Sequence, residues 1–364
     1  MVGFLHAADF HLDSPFAGLS PERAAERRRE NRALLGRMAE YVRCSSIDLV
    51  LLSGDLFDSG SVYQETWEQL SRALGDMGCP VFIAPGNHDF WSPSSPYARG
   101  SWPDNVHIFS SARVEAVPLP ELGVSVCGAA FTAPEQTMPL LEGFRAEKDG
   151  LVPLMVLHGD LGAAASPYNP ISHEQVSASG LAYLALGHIH QRSEPVRLGA
   201  TWCAYPGCPE GRGFDELGEK GFYHGTIDGD DVSLRFVPFA QRRYESLEVD
   251  VSDQEPAAAV EAVLPPSTER DLYRIALTGE TDERGIDLSA LQQQLGPRFY
   301  DLELLDRTRI REDVWARAEE DSLRGLFLRE LREKWDRASN DEERETVTQA
   351  VRFGLAALDH RDLV

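Results

Sequence analysis

The sequence predicts an α/β protein, a two-sheet sandwich flanked by helices, with a small α+β capping domain and a C-terminal helical pair behind it. Three observations carry this. Four short runs at 47–53, 80–84, 152–157 and 181–186 are continuously apolar, which suits strands of a central sheet covered on both faces. Helix-period segments precede and follow the first of them. Shorter strand signals at 106–131 and 196–239 come without long helices between, which predicts a second sheet packed on the first.

The elements follow in order. FLHA at 4–7 reads as a first strand, since neither a basic n-region nor a long h-region makes it a signal peptide. Ser20-Pro21 opens a helix: Ser caps, Pro fits the first turn, and Leu34, Leu35, Met38 and Val42 share one side. IDLVLLS (47–53) leads through a helical stretch at 62–77 to PVFIA (80–84); VPLMVL (152–157) and LAYLAL (181–186) come later. After about residue 240 the pattern becomes strand–helix–strand–helix–strand over 244–305, acidic throughout. Residues 312–358 read as two helices. Leu323, Phe327, Leu331 and Trp335 form an apolar stripe on the first, and Val347, Val351, Leu355 and Leu358 mark the second. Between them Asn340 and Glu343 stand at capping-box spacing. The expected domains are 1–240, 241–306 and 307–364.

Composition narrows the class. With 42% hydrophobic and 26% charged residues, the 364-residue chain is ordinary for a soluble protein, and it has no run long enough to span a membrane. Five scattered cysteines argue for reduced thiols and a cytoplasmic location. Cys203 and Cys208 lack the second pair a zinc site needs. The net charge of −24 speaks against a basic nucleic-acid footprint. It constrains the mean field only, not a local site that carries its own cations.

The chemistry lies at the strand ends. Asp9-x-His11 follows the first strand, Gly54-Asp55-Leu56-Phe57-Asp58 the second, and Gly86-Asn87-His88-Asp89 the third. His158-Gly159-Asp160 and Gly187-His188-Ile189-His190 follow the next two. Carboxyl ends of strands are where an open α/β sheet places its site. Asp, His and Asn without Cys suit Mn²⁺, Fe²⁺ or Zn²⁺ better than Ca²⁺, and the ligand groups suffice for two ions. Asp-x-His alone means little, and five such clusters in order mean a great deal. His6, His107, His173, His224 and His360 lack this company and read as core, surface or loop residues.

With these five elements in order over residues 9–190, the chain resembles the calcineurin-like metallophosphoesterases, and within them the DNA-repair nuclease branch of SbcD-type subunits that work with an SbcC-type ATPase. HAADFHLDSPF, YPGCPEGRGFDELGEKGF (205–222) and the helical C-terminal region look most like the YhaO-like bacterial members. The resemblance implies a four-layer fold and two divalent ions, Mn²⁺ first, with Fe²⁺, Zn²⁺ or Mg²⁺ as alternatives. It implies that Asp9, His11 and His190 hold one ion and Asn87, His158 and His188 the other, with Asp55 between. His88 would be the catalytic histidine, oriented by Asp89. Some nuclease members carry a histidine where Asp58 stands.

The resemblance further implies a DNA substrate and an SbcC-like ATPase partner, and it admits a homodimer. A small-molecule phosphodiesterase or phosphatase of the same fold is the rival, and the acidic surface favours it. A third option is a subunit that mainly docks an ATPase through the Leu323, Phe327, Leu331, Trp335 stripe. Trp91 and Arg99, in a loop with Tyr97 and Trp102, are candidate substrate contacts, against the alternative of a Pro-rich loop closing over the site. The run Arg27-Arg28-Arg29 reads as a solvated helix face, and Asp13 as a loop residue.

Overall fold

A computed structural model describes residues 1–147, 149–229 and 231–359, so His360 lies outside the described residues. The chain forms two units, Met1–Arg243 and Tyr244–Val364.

The first unit begins with β1 (Val2–Ala7), α1 (Pro21–Cys44), β2 (Leu49–Leu52), α2 (Gln64–Asp76), β3 (Val81–Ile83), the short α3 (Pro96–Arg99) and β4 (Val106–Ile108). It continues with β5 (Glu115–Leu119), β6 (Val124–Gly128), β7 (Val152–His158), α4 (His173–Ala178) and β8 (Tyr183–Gly187). β9 (Val196–Leu198), β10 (Thr201–Ala204), β11 (Gly221–Asp228) and β12 (Asp231–Pro238) complete it. Two six-stranded sheets result, in the orders β12-β11-β1-β2-β3-β4 and β5-β6-β7-β8-β10-β9. β1 to β4 are parallel, as are β6, β7, β8 and β10.

The apolar runs lack alternation because each strand feeds two cores. Leu49 and Leu51 pack with Phe4, Phe82, Val126, Leu154 and Val156. Val50 and Leu52 pack instead with Leu34, Leu35, Met38 and Leu70 from α1 and α2. Met155, Leu157, Leu184 and Leu186 meet Val176 of α4 in a third cluster. At about 1.5–3 kcal/mol for each large apolar side chain buried, these layers hold the scaffold that aims the loops. The four long apolar runs do not share one sheet as expected. β2 and β3 lie in the first, β7 and β8 in the second, and β4, β11 and β12 join the first. Both sheets are covered on both faces, so local hydropathy cannot tell them apart.

α1 starts where Ser20 Oγ accepts from the Arg23 N–H. Arg27 is fully buried, donating at 2.6 Å to Glu30 and 2.7 Å to Glu210. This corrects the solvated-face expectation for Arg27: a run of three spreads around a helix, and one member falls on the packed side. Asp13 is a loop residue with a task, accepting from the Tyr63 N–H and the Thr66 hydroxyl at the start of α2. Cys203 and Cys208 are buried, with thiols facing the Val196 and His190 carbonyls.

In the second unit, β13 (Tyr244–Asp250), α5 (Pro256–Val263), β14 (Leu272–Thr278), β15 (Glu280–Thr281), α6 (Leu288–Leu295), β16 (Asp301–Asp306) and β17 (Arg309–Ile310) precede α7 (Glu312–Ala316), α8 (Leu323–Arg337) and α9 (Asp341–Leu358). β13, β14 and β16 form a parallel three-stranded sheet. Asn340 caps α9 by accepting from the Glu343 N–H, and Glu343 reaches back to the Ser339 N–H rather than to Asn340. Leu331, Leu328, Val351 and Leu355 form the core of the helical pair, with Phe327 and Trp335 against it. Most of the stripe is thus packed on its own chain, and Leu323 stays exposed. Among the described residues no helix is long and apolar enough to cross a membrane.

Candidate metal centre

The strand ends converge because parallel strands deliver their carboxyl ends to one side. Backbone bonds then lock the loops: Asp9 N–H donates to Gly54 O and His11 N–H to Asp55 O, both at 3.0 Å. Across the two sheets, His188 N–H donates to both oxygens of Asp9 at 3.0 and 3.1 Å. Asp9, His11, Asp55 and His188 have φ of +56°, +43°, +50° and +105°, a region uncommon outside glycine and concentrated at functional sites. Two glycines make room. A Cβ on Gly86 would lie 2.3 Å from Asp55 Oδ1, and one on Gly54 2.5 Å from His158 Nδ1.

Two sets of side chains face each other. The ligand atoms of Asp9, His11 and His190 lie within 4.8 Å of one another, as do those of Asp55, His158 and His188. Asn87 Oδ1 joins the second set, 2.9 Å from His158 Nε2 and 3.1 Å from His188 Nδ1. Asp55 Oδ2 faces both, 3.4 Å from His158 Nε2 and 3.7 Å from His11 Nε2, and has no hydrogen-bond partner.

The donor chemistry tests whether metals fit. Each histidine turns its other ring nitrogen outward to an oxygen: His11 Nδ1 to Asp58 at 3.2 Å, His158 Nδ1 to Ser53 O at 2.8 Å, His188 Nε2 to Asp160 at 3.6 Å, and His190 Nδ1 to Glu216 at 2.8 Å. Protons placed on those outer nitrogens leave lone pairs inside. Yet His11 Nε2 and His190 Nε2 are 3.1 Å apart, and His158 Nε2 and His188 Nδ1 3.2 Å apart. In that tautomer, acceptors this close, beside Asp55 and Asn87 oxygens, suit cations between them. Outward anchoring of this kind is what metal-ligating histidines ordinarily have, so the residues fit divalent ions at both places.

The electrostatics agree. Burial pushes Asp9 up to about 6, against the pull of His158 and His190. Burial also works to raise Asp55, but His158 and His11 hold it well below the carboxylate range. Burial would strip the proton from His158, and Asp55 and Asp9 hold it on, up to about 9. Positive charge is therefore strongly favoured at this point. His11 and His188 are lowered to about 4, chiefly by burial, which keeps both neutral as ligation requires.

His88 is exposed at the rim. Its Nδ1 lies 3.1 Å from Asp58 O, and its backbone N–H donates to Asp55 Oδ1. Asp89 does not orient that ring, contrary to the sequence expectation. Its buried carboxylate accepts from the Gly86, Leu56 and Phe57 N–H groups and from the Tyr97 hydroxyl, which staples the loops after β2 and β3 together. Adjacent residues point opposite ways here, so neighbouring positions in the sequence do not become neighbouring side chains. Trp91 is half-buried against two cores, with its backbone N–H donating to Phe131 O. Tyr97 and Trp102 are packed on each other. Arg99 is exposed, on the wall of a cavity of about 610 Å³ that also includes Ser59, Ser61 and Ser94.

Sequence reasoning missed Glu216, Arg212 and Asp160 as site residues, and left Asp58 without a partner. Glu216 is buried beside His190; burial would raise its carboxyl, and His190 and Arg212 hold it low. The segment 205–222 carried the signal, as a polar, Gly-rich stretch between two strands. Only its folding back identifies which member matters.

Residues 3–192 match the family model for the calcineurin-like phosphoesterases. The chain is 33% identical over 265 residues to the uncharacterized metallophosphoesterase YhaO of Bacillus subtilis, covering 69% of this chain and 63% of that protein. It is 29% identical over 289 residues to the DNA double-strand break repair protein Mre11 of Aeropyrum pernix, covering 70% and 64%. It is 23% identical over 390 residues to the SbcD component of the SbcCD nuclease of Escherichia coli, covering 95% and 89%. The chain thus spans a little under two thirds of the first two relatives.

Proposed function

The chain belongs to the calcineurin-like phosphoesterases, and from that premise we propose that it hydrolyses phosphodiester bonds in DNA, as a nuclease subunit working with an SbcC-like ATPase. The observation that carries the hydrolytic reading is the convergence of the inner ring nitrogens of His11, His158, His188 and His190 with Asp9, Asp55 and Asn87. The DNA reading draws on the relatives named for nuclease and double-strand break repair.

In this reading Asp9, His11 and His190 hold one ion, Asn87, His158 and His188 the other, and Asp55 lies between. Mn²⁺ is the first choice; Fe²⁺, Zn²⁺ and Mg²⁺ are alternatives. When bound, such ions polarise a phosphoryl oxygen and lower the pKa of water toward neutrality. The protein does the rest. Asp58 O engages His88 Nδ1, which leaves Nε2 at the exposed rim to carry a proton to the leaving oxygen. Asp89 and Tyr97 keep the loop that bears His88 in register. Residues 241–306 act as a capping domain, and 307–364 as the ATPase-docking segment. Because Phe327, Leu331 and Trp335 pack internally, docking would use Leu323 and Leu326, which are exposed.

The test is cleavage of linear DNA with Mn²⁺, alone and with the ATPase partner, wild type beside His88→Ala. The variant should lose about 10²–10⁴-fold in rate and keep its metals. No cleavage in either setting with metal bound would refute the nuclease reading. The net charge of −24 favours a small phosphoester instead. DNA affinity measured across a salt series separates the two, since phosphate contacts give a steep slope and a flat one supports the small substrate.

A further inference from the structure

We propose that Arg212 is a positioning residue for one of the two metal positions: its guanidinium ties Glu216 to Asp58 and so holds His190 and His11 as a pair. The proposal rests on the dinuclear reading above.

The contacts form a continuous chain. His190 Nδ1 donates to Glu216 Oε1 at 2.8 Å. Arg212 Nη2 donates to the same oxygen at 2.6 Å, and its backbone N–H to Oε2 at 2.8 Å. Arg212 Nη1 reaches Asp58 Oδ1 at 3.2 Å, and that oxygen is 3.2 Å from His11 Nδ1. Arg212 Nη2 also lies 3.0 Å from His190 Nδ1, where both groups converge on one carboxylate oxygen. Two imidazoles that meet at 3.1 Å through their inner nitrogens are therefore backed at their outer ones by a single carboxylate–guanidinium–carboxylate strap, His190 through a hydrogen bond to Glu216 and His11 through its 3.2 Å ion-pair contact with Asp58.

The strap is itself fixed. Arg212 follows Gly211, whose carbonyl accepts from buried Arg27, and Glu210 accepts from the same guanidinium. Downstream, Lys220 Nζ donates to His190 O at 3.1 Å. The other metal position has no share in this. His158 leans on the Ser53 carbonyl and His188 faces Asp160. Loss of Arg212 should therefore act on one position only.

The sign of the effect separates positioning from charge. A guanidinium close to a divalent ion repels it, so by Coulomb's law alone Arg212→Met would tighten binding. If Arg212 positions the histidines, the same change loosens it. Arg212→Lys keeps the charge but loses the fork that spans two carboxylates, so it should loosen binding too.

Isothermal titration of the metal-stripped full chain with Mn²⁺ tests this. Wild type should take up two ions. Arg212→Met and Arg212→Lys should keep one at wild-type affinity and bind the other 10–100-fold more weakly, the range for losing an outer support of a ligand. Circular dichroism melts of the metal-free proteins check folding. Asp58→Asn, which breaks the strap's other end with little change of shape, should weaken the same position and serves if the arginine variants do not fold. Wild-type affinity, tighter binding by Arg212→Met, or equal weakening at both positions would overturn the role of Arg212. A wild type that binds only one ion would instead overturn the dinuclear reading.

Discussion

Asp89→Asn probes the frame of the site. One Asp89 oxygen accepts from Leu56 N–H at 2.7 Å, Phe57 N–H at 3.2 Å and the Tyr97 hydroxyl at 2.5 Å; the other accepts from Gly86 N–H at 2.8 Å. Asparagine keeps one acceptor and brings a donor amide. Its better rotamer leaves the oxygen on the three donors and sets NH₂ against the Gly86 N–H. That orphans one buried donor, at about 1–3 kcal/mol. The other three bonds lose the charge that makes such bonds roughly twice as strong. Burial and the neighbouring Asp55 push the Asp89 carboxyl upward, which trims this second contribution. The sum is about 3–5 kcal/mol, or a fall of about 10 °C in the melting of a unit this size. Urea and thermal unfolding of the metal-free protein measure it, with Tyr97→Phe as a smaller control at about 1–2 kcal/mol. A loss below about 1 kcal/mol would refute the stapling account. Wild-type stability with depressed turnover would show that Asp89 acts through His88 after all.

Three further outcomes are expected. Gly86→Ala drives a methyl against Asp55 Oδ1 and should weaken metal uptake about 10–100-fold; calorimetry showing unchanged uptake would contradict the close approach. His6 is buried between Tyr183, Ser53 and the Leu186 carbonyl, and burial lowers it to about 3. The unfolded chain protonates it near 6.5 and the folded chain does not, so its contribution is intact above pH 6.5 and fades as pH falls toward 3. His6→Gln should flatten the pH slope of stability between pH 6 and 4 by up to about 1.4 kcal/mol per unit, and parallel slopes would rule this out. Arg27→Met takes the guanidinium from the buried Glu210 carboxylate, which keeps the Gln241 and Arg242 N–H groups but loses its charge partner, and should cost about 3–5 kcal/mol; adding Glu210→Gln should recover part of it, as read by urea unfolding.

Much of the site was legible because its residue types are dictated by local rules. A buried strand must be apolar, a tight turn beside a ligand must carry glycine, and Asp, His and Asn placed after such strands have few purposes together. The strand-end clusters that contain Asp9, His11, Asp55, Asn87, His158, His188 and His190 stood out as candidates on that basis, and the fold brings these side chains together; the helix start at Ser20 and the cap at Asn340 were legible from capping chemistry. The βαβαβ order of residues 244–305 was visible for the same reason, since each element carries its own period.

What the sequence could not decide is which surface each element meets. β2 and β7 both come from continuously apolar runs and lie in different sheets. Arg27 and Arg28 are adjacent, and only Arg27 is buried in an ion cluster. His88 and Asp89 are adjacent, and one reaches the rim while the other staples two loops from beneath. Arg212 and Glu216 became visible as supports of His190 and His11 only through contacts across 22 to 154 residues of chain. Residue type and period are written locally. Long-range partners are selected by how layers pack, and the free energy of that choice appears only when the chain is folded.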